Sequence, residues 1–156
     1  MTDRRPHFVV QSRQVEPFWL PEDDGITETQ LLVDHISAGS EDLILNRLVL
    51  RAGCRTAGGT IRSCDVAYYV LSGRGHLLLD RDPPTLGSSR LFALEPDTAV
   101  FLPAGTYHRL RSSPDLDLVL LTIWPRRPPP AEEPRIYQAR RAAWGGATLR
   151  LKPESQ

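Results

Sequence analysis

The chain has 156 residues, 40% hydrophobic and 24% charged, a composition suited to one globular domain and not to a disordered chain. A domain of this size buries roughly 68–70% of its unfolded surface, so it needs no disulfide or metal to hold a core. Nineteen basic residues balance nineteen acidic ones, which excludes a sequence-blind nucleic-acid binder that must neutralise phosphates with excess positive charge.

Lys152 is the only lysine, an arginine bias read first as genome composition. No apolar run approaches the roughly 18 residues of a membrane-spanning helix, and the start Met1–Pro6 lacks the apolar stretch of a secretory leader. The expectation is a cytoplasmic protein that engages neither membrane nor nucleic acid. There Cys54 and Cys64 are reduced thiols, and two cysteines alone do not form a structural zinc site.

Residues 1–26 read as a polar N-terminal arm with one strand-like piece, His7–Gln11, and an apolar group, Pro17–Pro21, that packs as a loop. From Thr27 short apolar segments alternate with turn residues, the pattern of an antiparallel sandwich or barrel. The expected strands are Gln30–Ile36, Leu43–Arg51, Asp65–Ser72, Gly75–Asp80, Arg90–Leu94, Ala99–Leu102, His108–Ser112 and Leu116–Trp124. Between them stand Gly53, Gly58-Gly59, Gly73, Asp82-Pro83-Pro84, Pro96-Asp97, Pro103-Ala104-Gly105 and Ser113-Pro114-Asp115, all turn chemistry. No segment there holds a helical period over about ten residues. The fold class is therefore all-β, a barrel over 27–124. Residues 125–156 follow as a proline-rich connector and C-terminal arm, with a helical turn at Gln138–Ala143 and a short strand at Thr148–Lys152.

Two segments carry motif spacing. Gly53, Gly59, Ile61, Val66 and Gly73 are separated by five, one, four and six residues, and the last strand ends Tyr69-Val70-Leu71-Ser72-Gly73. Further on, Pro103, Gly105 and His108 have the spacing Pro-x-Gly-x-x-His. Taken together over residues 43–124, these stretches resemble the paired motifs of the cupin superfamily. The resemblance implies a cupin-type jelly-roll β-barrel and a homodimer, often with an N-terminal strand exchanged between subunits, for which His7–Gln11 is the candidate. In metal-binding members the positions of Gly59, Ile61 and Val66 are two histidines and a glutamate, and His108 is the last ligand. The match departs elsewhere too: Asp97 stands where a glycine is usual and Ser112 where an asparagine is usual.

Glycine, isoleucine and valine bind no metal, and one imidazole is not a site. The expectation is no metal and no cofactor; Cys64, His35 and His76 are the residues that a rebuilt site would have to recruit. Gly59, Ile61 and Val66 then form an apolar wall with room beside Gly59. Alternation puts Tyr68 on the face of Val66, so a phenol lies near His108 in a largely apolar chamber, where burial lowers the imidazole pKa. A neutral histidine can relay protons near physiological pH. His108 and Tyr68 are thus the candidate catalytic pair, though an inherited, hydrogen-bonded histidine and a barrel-filling tyrosine are the plainer readings. Asn46 and Arg47 are adjacent and must face opposite sides: one turns to the lumen to orient a polar substrate, the other to the rim or an interface, and the fork of Arg47 suits a carboxylate or enolate. Phe101 and Trp124 flank the cavity, with packing as their default role.

The expected function is metal-independent cupin enzymology: proton-transfer chemistry on a small organic substrate, by cyclisation, isomerisation, epimerisation or dehydration, with specialised metabolite biosynthesis as context. Two alternatives stay open, a non-catalytic small-molecule-binding cupin and a metalloenzyme (dioxygenase or lyase) with an unusual ligand set. Hydrolase, nucleotide and zinc-ribbon motifs are absent from the sequence.

Overall fold

The computed structural model describes residues 9–35, 37–40, 42–85, 87–125, 138 and 142. Ten strands follow in order: β1 (Phe18–Pro21), β2 (Ile26–Val33), β3 (Ile44–Leu50), β4 (Gly59–Thr60), β5 (Val66–Ser72), β6 (Gly75–Asp80), β7 (Arg90–Leu94), β8 (Ala99–Leu102), β9 (Tyr107–Ser112) and β10 (Leu118–Trp124). They form two antiparallel sheets, β1-β2-β3-β10-β5-β8 and β4-β9-β6-β7. Isolated bridges from Asp24 through Arg55 to Arg111 stitch the sheets along one side. On the other side β7 and β8 are unpaired edges, so the jelly roll is a two-sheeted sandwich open between them, not a closed barrel.

The residues between the sheets explain the order. Leu50, Val70, Leu118 and Leu120 are 0% exposed; burying each stabilises the fold by about 1.5–3 kcal/mol. β10 lies between β3 and β5, and its sequence Leu-Val-Leu-Leu-Thr-Ile-Trp lacks the alternation of a half-exposed strand, as a central strand with apolar groups on both faces should. A bulge at Val119/Leu120 shifts the pairing with β5 by one residue, which leaves Leu71 turned outward and exposed. The β5–β6 connection requires Gly73: its φ is +84°, and a Cβ there would lie 1.8 Å from the Asp117 carbonyl oxygen, a conformation and a space open only to glycine.

Two strands have no counterpart among the strands expected from the sequence. β1 occupies the segment expected to pack as a loop; it pairs with β2 at the sheet edge, where Pro21 sacrifices no ladder bond, and Phe18 enters the core. The sheet therefore begins before residue 27. β4 has two residues, too few for any alternation signal, and exists by its pairing with β9. β2 also starts earlier than Gln30 because its inward positions Thr27 and Thr29 are polar yet buried, which hides the apolar period until Leu31.

Of the expected arm elements, Val9–Gln11 are not strand while His7 and Phe8 lie outside the described residues. The connector and the Thr148–Lys152 strand lie outside them too, and of the C-terminal helical turn only Gln138 and Ala142 are described, both helical. Among the described residues no helix is long and apolar enough to cross a membrane.

Candidate functional site

Directly paired residues of antiparallel strands share a face, so the registers assign every strand residue to the interior or the exterior. One interior row of the six-stranded sheet runs Leu31–Asn46–Thr122–Tyr68–Val100. The facing row of the four-stranded sheet runs Gly59–His108–Leu79. Leu48, Leu120 and Val70 form the next interior row, and Leu110 pairs with Leu77 opposite. Asn46, Thr122, Tyr68 and His108 thus share one level, and the next row is aliphatic except for Thr29, which pairs with Leu48 at its β2 end.

At this level the two sheets meet through chemistry. Tyr68 Oη lies 3.1 Å from His108 Nε2, a hydrogen bond between a phenol that is 6% exposed and a partly buried imidazole. The rings are 6.0 Å apart in an edge arrangement. Burial lowers the His108 pKa and outweighs the backbone of Thr106, which acts in the opposite direction, so the ring is neutral at pH 7. Burial raises the Tyr68 pKa strongly, which keeps the phenol protonated and able to donate. His108 Nδ1 and Asn46 Oδ1 are both buried without a hydrogen-bond partner. Buried polar atoms ordinarily find one.

The two motifs read from the sequence are physically joined here. Gly59 pairs with His108 on neighbouring strands, and the Gly105 amide donates to the Ile61 carbonyl oxygen at 2.7 Å. A Cβ on Gly59 would meet nothing within 4 Å, so the space expected beside it is present. Val66 is buried and faces inward with Tyr68 and Val70, and Ile61 packs against the core. Trp124 closes the interior at the end of β10, buried and paired with Ile44.

Two candidate residues are not brought to the chamber. Asn46 takes the interior face, and strand alternation therefore turns Arg47 to the exterior, where its Nη1 donates to Gln30 Oε1 at 3.2 Å. Gln30 Nε2 in turn donates to the carbonyl oxygens of Ser12 and Val15, the latter at 2.9 Å, so this pair holds the N-terminal segment. Phe101 is 63% exposed on the outer face of β8. Thr122 was not among the candidates, yet it pairs with both Asn46 and Tyr68. Its signal lay in the sequence as the one polar residue in the Leu118–Trp124 run.

A metal held by three protein ligands does not fit the residues present. The positions that the motif resemblance assigns to ligands carry Gly59, Ile61 and Val66, and among the described residues no three His, Cys, Asp or Glu side chains converge. His76 is exposed on the outer face of β6, opposite Arg111. Cys64 is buried in the core. Cys54 is fully buried, and burial together with Glu22 and Asp24 pushes its thiol pKa up to about 11, the opposite of a reactive cysteine.

No protein-family model and no curated protein matches the sequence. Solved structures do match by fold. A predicted oxalate decarboxylase from Thermotoga maritima is 18% identical, with a TM-score of 0.64 over 76% of this chain and 99% of that one. The polyketide cyclase RemF from Streptomyces resistomycificus is 21% identical, with a TM-score of 0.63 over 80% and 82%. KdgF from Halomonas is 21% identical, with a TM-score of 0.52 over 70% and 87%. The fold of this chain is that of the cupin superfamily, as its paired motifs lead one to expect.

Proposed function

We propose that the chain is a metal-independent cupin enzyme that moves protons on a small organic substrate, with Tyr68 and His108 as the catalytic pair. The observation that carries this reading is the Tyr68 Oη–His108 Nε2 hydrogen bond, formed across an apolar interior with Nδ1 left unpartnered. When a substrate oxygen takes over the Tyr68 hydroxyl, the Nε2 lone pair is free to take a proton from a substrate C–H. The phenol O–H is then free to donate to the oxygen that gains charge, so one pair supplies base and electrophile. The imidazolium returns the proton to another atom of the substrate, which completes an isomerisation, or a cyclisation when the enolate carbon attacks a second carbonyl. The fold likeness to a polyketide cyclase supports a substrate of that kind and a biosynthetic setting.

Exchange of the α-protons of aryl ketones in D2O, followed by NMR, tests the assignment. The wild type should accelerate exchange at least about tenfold over buffer, and His108→Ala should remove that rate, since general acid–base groups contribute about 10²–10⁴-fold. Full activity in His108→Ala refutes the pair as catalysts. Ketones that bind but do not exchange support the second reading, a binding cupin, which the same unpartnered polar atoms favour.

A homodimer is part of the proposal. The outer face of the six-stranded sheet carries an apolar row, Val33–Leu45–Ile123–Ala67–Phe101, beside exposed Tyr69 and Leu71; contiguous apolar patches of this kind mark association surfaces. Sedimentation equilibrium should give twice the chain mass for the wild type and a monomer for Tyr69→Arg, whereas a wild-type monomer at micromolar concentration refutes it.

A further inference from the structure

The side of the sandwich that lacks strand pairing bears directly on the ligand. Between β7 and β8 lies an apolar cleft of about 280 Å³ lined by Leu77, Leu79, Phe92, Leu94, Val100 and Phe101, close to the lower size of small-molecule pockets. Two of its lining residues adjoin the candidate site. Leu79 is the cross-strand neighbour of His108, and Val100 is that of Tyr68. Phe92 pairs with the buried Leu77 and so lies on the interior face, yet it is 45% exposed, because no strand covers that edge. An interior-facing aromatic open to solvent is a surface waiting for an apolar partner.

The polar end of the same space is also incomplete. Asn46 is 4% exposed, and its Oδ1, like His108 Nδ1, has no partner. An acceptor left unpaired in the interior is destabilising, and a ligand hydroxyl would satisfy it. No cation is buried in these rows: Arg90, which pairs with Leu79, is exposed at the edge. A carboxylate head would therefore be desolvated without a counter-charge.

We infer that the ligand is a neutral hydroxyl- or keto-bearing molecule whose polar end lies among Asn46, Tyr68 and His108 and whose apolar flank leaves through the β7–β8 cleft. This rests on the reading of the interior as a ligand site and adds the substrate's polarity and direction. The occupant is the ligand's own flank because Leu79 and Val100, which line the cleft, are the cross-strand neighbours of His108 and Tyr68.

Binding of 4-alkylphenols of increasing chain length, measured calorimetrically beside the matched 4-alkylbenzoates, tests it. Each methylene that enters the cleft should tighten binding about three- to fourfold, up to the capacity of the cleft. Phe92→Lys should flatten that increment. Asn46→Leu should weaken every phenol by a similar factor, about tenfold, and keep the increment. Benzoates should bind at least about tenfold more weakly than phenols. Phenol binding that depends on Asn46 but not on chain length overturns the cleft and spares the interior site. Benzoates binding as tightly as phenols overturn the neutral head. No phenol binding at millimolar concentration overturns the inference and the ligand site with it, whereas lost ketone exchange with these trends intact overturns only the catalytic assignment.

Discussion

Removing the two halves of the Tyr68–His108 pair separately and together isolates what the contact contributes. Tyr68→Phe keeps the ring and deletes the hydroxyl 3.1 Å from Nε2. The loss has two parts, a net hydrogen bond of about 1 kcal/mol and an imidazole nitrogen left buried without a partner, together about 1–3 kcal/mol. His108→Leu strands the Tyr68 hydroxyl, which is 6% exposed, but also removes the unpartnered Nδ1 and adds apolar contact beside Leu79. Its net loss should be smaller, about 0–2 kcal/mol. The double variant replaces both partners by apolar groups and should be near neutral, so the singles should fail to add by about 1–5 kcal/mol. Urea unfolding followed by tryptophan fluorescence gives the four stabilities, with an unchanged slope confirming the same folded state. Additivity within about 0.3 kcal/mol would refute the contact. The wild type carries a pH signature as well. The His108 pKa is lowered from 6.5 in the folded chain, so below about pH 6.5 the unfolded state binds more protons. Stability therefore falls as pH drops from 6.5 through the folded-state pKa, by at most about 1.4 kcal/mol per pH unit from this group, and His108→Leu should lose that component.

The register can be checked by putting ligands back. Gly59→His, Ile61→His and Val66→Glu in one chain, joining His108, should create a 1:1 site for zinc with a dissociation constant of about micromolar or tighter by calorimetry, while the parent binds none; no binding would mean that these positions do not converge. Gly73→Ala places a Cβ against the Asp117 carbonyl in a left-handed backbone and should destabilise the fold by at least about 3 kcal/mol; a loss under about 1 kcal/mol in urea unfolding would show that the β5–β6 connection relaxes.

How much of this was legible beforehand depends on the kind of signal. Turn residues punctuated the chain, and alternation along Val66, Tyr68 and Val70 showed that these three share a face, because a strand's side chains have a period of two. That Gly59, Ile61 and Val66 stand at ligand positions is what the motif resemblance implies. Alternation fixes relative faces only. That Asn46 turns inward and Arg47 outward was decided by the long-range register of β3 with β10 and of β10 with β5, which also drew Thr122 into the polar row. The same holds for β4, whose two residues carry no pattern until β9 lies beside them, and for β1, whose prolines suggested a loop. The Tyr68–His108 contact joins residues 40 positions apart on opposite sheets. Local sequence supplied each side chain and its face; only the packing of one sheet on the other could set the distance between them and leave the β7–β8 side open, because both follow from contacts between segments distant in the chain.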